Sequence, residues 1–133
     1  MFEELVRTGI AKITYRHRIR FGPISTRVAL ATECAADQDA FWPFHDQLFE
    51  LRRNEVTIDE FLMEIATNLS LDVPAFTGCL QDDVHLARIM EDETLAAEFG
   101  ILGTPTIFVN GVQVAAFPAE TIIDVVLAAA GEG

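Results

Sequence analysis

The chain has 133 residues, half of them hydrophobic, and 21 acidic against 9 basic side chains leave a net charge of -12. That length suits a single domain able to bury roughly two-thirds of its unfolded surface, and the apolar half argues against disorder. The acidic balance leaves no basic footprint for nucleic acid, disfavours an anionic membrane surface, and is accompanied by no apolar run near the roughly 18 to 20 residues of a transmembrane helix.

Phe2, Leu5 and Val6 are spaced as the apolar face of a helix end, and Gly9 suits its C-terminal stop. Met1-Phe2-Glu3-Glu4 has neither the basic nor the apolar region of a signal peptide. Residues 11 to 17 alternate, with Ile13, Tyr15 and His17 on one face and Lys12, Thr14 and Arg16 on the other, which predicts a strand. Arg18 to Pro23 reads as a loop; Arg16, Arg18 and Arg20 form a basic cluster, read as solvated surface or as an anionic-substrate site. Ser25 is placed to cap a helix through Val28, Leu30, Ala31 and Cys34, and Asp37 or Asp39 to start another with Pro43 in its first turn. Phe41, Trp42, Phe44, Leu48, Phe49 and Leu51 give that helix a wide apolar surface and predict that it is largely buried.

Thr57-Ile58-Asp59-Glu60 has the form of a capping box opening a helix through Phe61, Leu62, Ile65 and Leu69. Asp72 caps a further helix that ends near Cys79-Leu80. Residues 83 to 99 predict a long helix with Val84, Ala87, Ile89 or Met90, and Leu95 inward, stopped by Gly100. Ile107-Phe108-Val109 is a short strand, Asn110-Gly111 supplies the two positive-φ residues of a type I′ turn, and Val112 to Ala115 returns antiparallel. Pro118 is placed at the first position of a last helix carrying Ile122, Ile123, Val126 and Leu127.

Few residues here carry obvious chemistry. Cys34 and Cys79 are 45 positions apart, far from a catalytic dithiol spacing, and buried free cysteine is common. His17, His45 and His85, one on a strand and two on helices, show no paired ligand spacing, so neither a metal site nor a cofactor is expected. His45 and Asp46 are helix neighbours that do not face each other and predict no dyad. Glu91-Asp92-Glu93 reads as a solvated helix face. Pro105 shapes the entry to the first hairpin strand, where it can neither continue a helix nor donate to a ladder.

Several stretches together carry a family likeness: Leu5-Val6-Arg7-Thr8-Gly9 leading into Ile13-Thr14-Tyr15-Arg16-His17, then Glu33-Cys34-Ala35, Phe41-Trp42-Pro43-Phe44-His45-Asp46, Cys79-Leu80, and Gly103-Thr104-Pro105-Thr106 with Val109-Asn110-Gly111. On these the chain resembles the C-terminal part of a DsbA-like thiol-disulfide oxidoreductase. The resemblance implies an α/β thioredoxin-like fold over residues 1-133, with a helical insertion at about 24-100. It places the family's first core strand, the start of its first helix and its Cys-x-x-Cys before Met1, and this chain contains no Cys-x-x-Cys.

It further implies a cis Thr104-Pro105 bond whose backbone pairs with an extended substrate peptide. Cys34 and Cys79 become a structural disulfide between two helices of the insertion, which would stabilise by roughly 3 to 4 kcal/mol. Family members are usually exported or membrane-anchored, and their partners are protein thiols or disulfides. Three functions stay open. The first is an oxidoreductase domain that is inactive without its Cys-x-x-Cys. The second is a non-catalytic interaction domain that completes its sheet with a partner or as a homodimer. The third is a catalytic site built from Cys34 and a nearby histidine.

Overall fold

The computed structural model describes residues 2-19, 22-51 and 57-131. The order is α1 (Phe2–Arg7), α2 (Pro23–Ala36), α3 (Phe41–Glu50), α4 (Ile58–Asn68), α5 (Val73–Gln81), α6 (Leu86–Glu98), β1 (Ile107–Val109), β2 (Val112–Val114) and α7 (Ala119–Ala129). In chain order, among the described residues, five helices follow α1, then a two-stranded hairpin and a last helix. The chain divides into two compact units, His17–Ala96 on one hand and Met1–Arg16 with Ala97–Gly133 on the other.

In the helical unit, α2 packs on α3, α4 and α5. Leu30, Phe44, Leu62, Ile65, Phe76, Leu80 and Ile89 are buried together, and the Phe44 and Phe76 rings lie tilted with centroids 5.6 Å apart. Local chemistry sets the ends of these helices. Thr57 Oγ1 accepts from the Glu60 N–H at 3.2 Å while Glu60 Oε2 accepts from the Thr57 N–H at 3.1 Å, which is the reciprocal box that the sequence predicts. Asp72 Oδ1 accepts from the Ala75 N–H at 3.1 Å at the start of α5.

Other helix ends differ from expectation. Helix α2 begins at Pro23 with Gly22 as its cap, because a proline needs no N–H bond in the first turn; Ser25 is inside the helix. Asp37 is the C-cap of α2, Asp39 turns the chain at φ +57°, and Ala40 caps α3. Helix α3 is not largely buried: Phe44 is enclosed, but Trp42 is 43% and Phe49 68% exposed. An apolar surface wider than the stripe a neighbour can cover leaves part of itself in water. Helix α6 starts at Leu86, because Asp83 takes φ +48° and residues 82-85 form a turn; Ile89 is enclosed while Val84 and Met90 are exposed.

In the other unit, α1 closes with the Thr8 N–H on the Glu4 carbonyl, and Gly9 follows at φ +81°. Leu5 is buried and Val6 is exposed. The predicted strand at residues 11-17 is not a strand: the sheet of the described residues holds β1 and β2 alone. Alternation makes a segment competent for a sheet, but a strand exists only with a ladder partner. The hairpin forms in the register Ile107 to Val114, Phe108 to Gln113 and Val109 to Val112. Asn110 and Gly111 take φ +49° and +84° between them, as a two-residue hairpin turn demands. Helix α7 packs its buried Ile122 side against β1, and Pro118 serves as its cap rather than its first residue.

Candidate functional site

The loop entering β1 is held from within. Thr106 Oγ1 donates to the Gly103 carbonyl at 2.6 Å, closing a short side-chain turn around Thr104 and Pro105, and Gly103, Thr104 and Pro105 are all exposed. The Thr104–Pro105 bond is cis, as is Phe117–Pro118.

In the helical unit, Cys34 near the end of α2 and Cys79 in α5 have Cα atoms 5.9 Å apart and sulfurs 2.14 Å apart. Cys34 is 1% exposed and Cys79 is partly exposed. Two further polar groups reach the same place. His85, in the turn before α6, brings a ring nitrogen into a group with both sulfurs in which every ligand atom lies within 4.8 Å of the others. Asp37 Oδ2 lies 2.8 Å from His85 Nε2 and 3.7 Å from Cys79 Sγ. The sequence reasoning that sets His85 aside misses this cluster. Asp37 falls one helical turn after Cys34 and His85 six residues after Cys79, and neither interval is a ligand motif until the two helices pack.

A second polar cluster lies at the start of the same unit, around residues 17-19. The His17 N–H donates to Asp92 Oδ2 at 2.9 Å, Arg88 donates to Asp92 Oδ1 at 2.5 Å, and Arg18 donates to Glu93 Oε2 at 2.7 Å. The Ile19 N–H also donates to Glu93. Asp92 is only 2% exposed and Glu93 is partly covered, so of the acidic run only Glu91 lies on a solvated face. Its carboxylates take backbone donors of a segment that has no ladder. His17 is buried, with Nε2 2.6 Å from Glu33 Oε1 and its ring edge-on to Phe41 at 6.4 Å. Arg18 is thus an ion-pair partner, while Arg20 lies outside the described residues.

His45 and Asp46 do meet, with Nδ1 3.1 Å from Asp46 Oδ1, against the expectation from helix geometry. Adjacent side chains that both point outward can touch when a short carboxylate turns back to its neighbour. The His45 ring also lies against Phe41, Trp42 and Phe49, at 6.2, 5.2 and 4.9 Å, so it belongs to an exposed aromatic face and not to a pocket.

Comparison with known proteins adds the family. The sequence model described as thioredoxin matches residues 1–126. A Na(+)/H(+) antiporter NhaA 3 of Salinispora tropica is 38% identical over 89 residues, covering 67% of this chain and 13% of the antiporter. A Na(+)/H(+) antiporter NhaA of Herminiimonas arsenicoxydans is 38% identical over 90 residues, covering 68% of this chain and 14% of that one. Disulfide bond formation protein D of Bacillus subtilis is 27% identical over 114 residues, covering 81% of this chain. The chain thus spans about half of that protein and about one-seventh of the antiporters. No solved structure matches.

Proposed function

The chain belongs to the thioredoxin family, and on that premise we propose that it is a DsbA-like thiol-disulfide oxidoreductase domain that holds substrate peptides but carries no catalytic dithiol of its own. The single observation that carries this reading is the sequence itself: 133 residues hold two cysteines and no Cys-x-x-Cys. Thr104 and Pro105, exposed on their closed loop, are the residues that would pair with the backbone of an extended thiol- or disulfide-bearing peptide. Cys34 and Cys79 are read as a structural disulfide of a helical insertion within one domain of residues 1-133. Nucleophilic exchange needs an accessible thiolate, and Cys34 is enclosed. The likeness to segments of antiporters supports a shared thioredoxin-type module rather than ion transport, since 13% of such a protein is aligned. No helix among the described residues is long and apolar enough to cross a membrane.

Insulin reduction driven by dithiothreitol tests the reading. The expected rate is that of dithiothreitol alone; turnover above it that is lost on replacing Cys34 or Cys79 would make that pair catalytic and refutes the reading.

A second reading is favoured by the hairpin. Two strands of three residues make a sheet below the size that is stable by itself, and Phe108 and Val112 are exposed on it. Such a sheet is suited to accept a strand from a partner or from a second copy. Light scattering at micromolar concentration separates the cases: a monomer with a cooperative melt removes the dimer.

A further inference from the structure

We propose that Cys34, Cys79 and His85 form a zinc site when the two cysteines are reduced, with Asp37 orienting the histidine. The ligand atoms already lie within 4.8 Å of one another. A zinc ion bound tetrahedrally at about 2.0 to 2.3 Å holds its ligands about 3.3 to 3.8 Å apart, so on reduction the sulfurs, 2.14 Å apart in the structure, part while the imidazole closes in. Two thiolates and an imidazole are the donor set that zinc selects over harder cations. Asp37 Oδ2 lies 2.8 Å from His85 Nε2, so a metal on the other ring nitrogen would make the carboxylate–histidine–zinc relation that fixes a ligand ring. Solvent completes the four positions. The supports are rigid: Cys34 and Asp37 share the end of α2, Cys79 sits in α5, and His85 ends the turn that follows it.

The site and a Cys34–Cys79 disulfide exclude each other, because zinc takes thiolates and a disulfide has none. Opening the disulfide consumes two electrons. A dithiol reductant attacks the more accessible Cys79 sulfur as a thiolate and Cys34 leaves as a thiolate. The second thiol of the reductant then displaces Cys79, and the reductant departs as its own disulfide. Zinc binds the two thiolates, and protons they would otherwise hold are released to solvent. Metal occupancy thereby reports the redox state of the pair. A buried Cys34 beside an ion also leaves little room for a substrate, which favours a structural site with one solvent ligand over a cysteine–histidine nucleophile.

The test uses the whole 133-residue chain, reduced with a phosphine under argon and titrated with Co²⁺ as the probe. One equivalent is expected to give thiolate-to-cobalt charge-transfer absorption, bleached by one equivalent of Zn²⁺, and the oxidised chain is expected to give none. His85→Ala, which leaves both cysteines in place, is expected to weaken Zn²⁺ binding to the reduced chain at least tenfold. Asp37→Asn is expected to weaken it about 10- to 100-fold while keeping the cobalt spectrum. Far-UV circular dichroism follows the fold throughout. Reduced chain that stays helical without the charge-transfer band overturns the proposal. So does reduced chain that unfolds and is not refolded by Zn²⁺, or a band and affinity unchanged in His85→Ala.

Discussion

Replacing Asp92 by alanine is expected to remove about 2 to 4 kcal/mol of stability, although the residue sits in an acidic run on a helix. Its carboxylate is 1% exposed and accepts from the His17 N–H at 2.9 Å and from Arg88 at 2.5 Å. Alanine would strand the buried His17 N–H, at a cost of about 1 to 3 kcal/mol. Arg88 is 41% exposed and can turn to water, so its lost bond adds only about 1 kcal/mol. Asp92→Asn keeps one oxygen for the His17 N–H but puts an amide N–H where Arg88 donates, so the Arg88 bond is lost and about 1 kcal/mol is expected. Exposed Glu91→Ala, its neighbour, serves as the control, with less than about 0.5 kcal/mol expected. The assay is urea unfolding followed by circular dichroism. At roughly 1.5 kcal/mol per molar, Asp92→Ala should lower the midpoint by more than about 1 M with the slope unchanged. A midpoint shift no larger than that of Glu91→Ala would refute the role given to the buried carboxylate.

Phe76→Ala should cost about 3 to 5 kcal/mol in the same assay, because it empties the enclosed space against Phe44, whereas Phe49→Ala on the exposed side of α3 should cost under about 1 kcal/mol; equal losses would contradict the assigned core. If Cys34 and Cys79 are bonded, reducing them in the presence of EDTA should lower the unfolding free energy by about 4 kcal/mol, the chain-entropy value for a 45-residue loop, and a shift near zero would argue against the bond. Tyr15 is the one tyrosine, so absorbance at alkaline pH reads it alone, and partial burial raises its pKa above 10.0. The folded chain then holds that proton longer than the unfolded chain. This contribution to stability is complete below pH 10.0 and is lost as pH rises through the folded pKa; a midpoint at or below 10.0 would count against the burial.

Elements whose cause lies within a few residues are legible in the sequence. The Thr57 capping box, the Asp72 cap, the Asn110-Gly111 turn and the glycine stops after α1 and α6 all form as their local chemistry dictates. The family likeness is legible for a related reason: the loop at Gly103 to Thr106 is a contiguous signature, and the family match covers residues 1–126.

Features that depend on a second segment are not legible in this way. Residues 11-17 have the alternation of a strand, yet only a partner can turn alternation into a ladder, and the backbone donors at His17 and Ile19 go instead to carboxylates more than seventy residues away. Those same bonds turn Asp92 from an apparent surface charge into a buried acceptor. The width of the apolar face on α3 is written in the sequence, but how much of it is covered depends on the neighbouring helices. His85 and Asp37 show no ligand spacing along the chain. They join the cysteines only because α2 and α5 pack and the turn before α6 returns to them. Sequence alone determined the Thr57 and Asp72 caps, the Asn110-Gly111 turn and the family, because those follow from local propensity and contiguous motifs. Tertiary structure decided which polar groups are buried together, since burial is a property of packed surfaces and not of spacing.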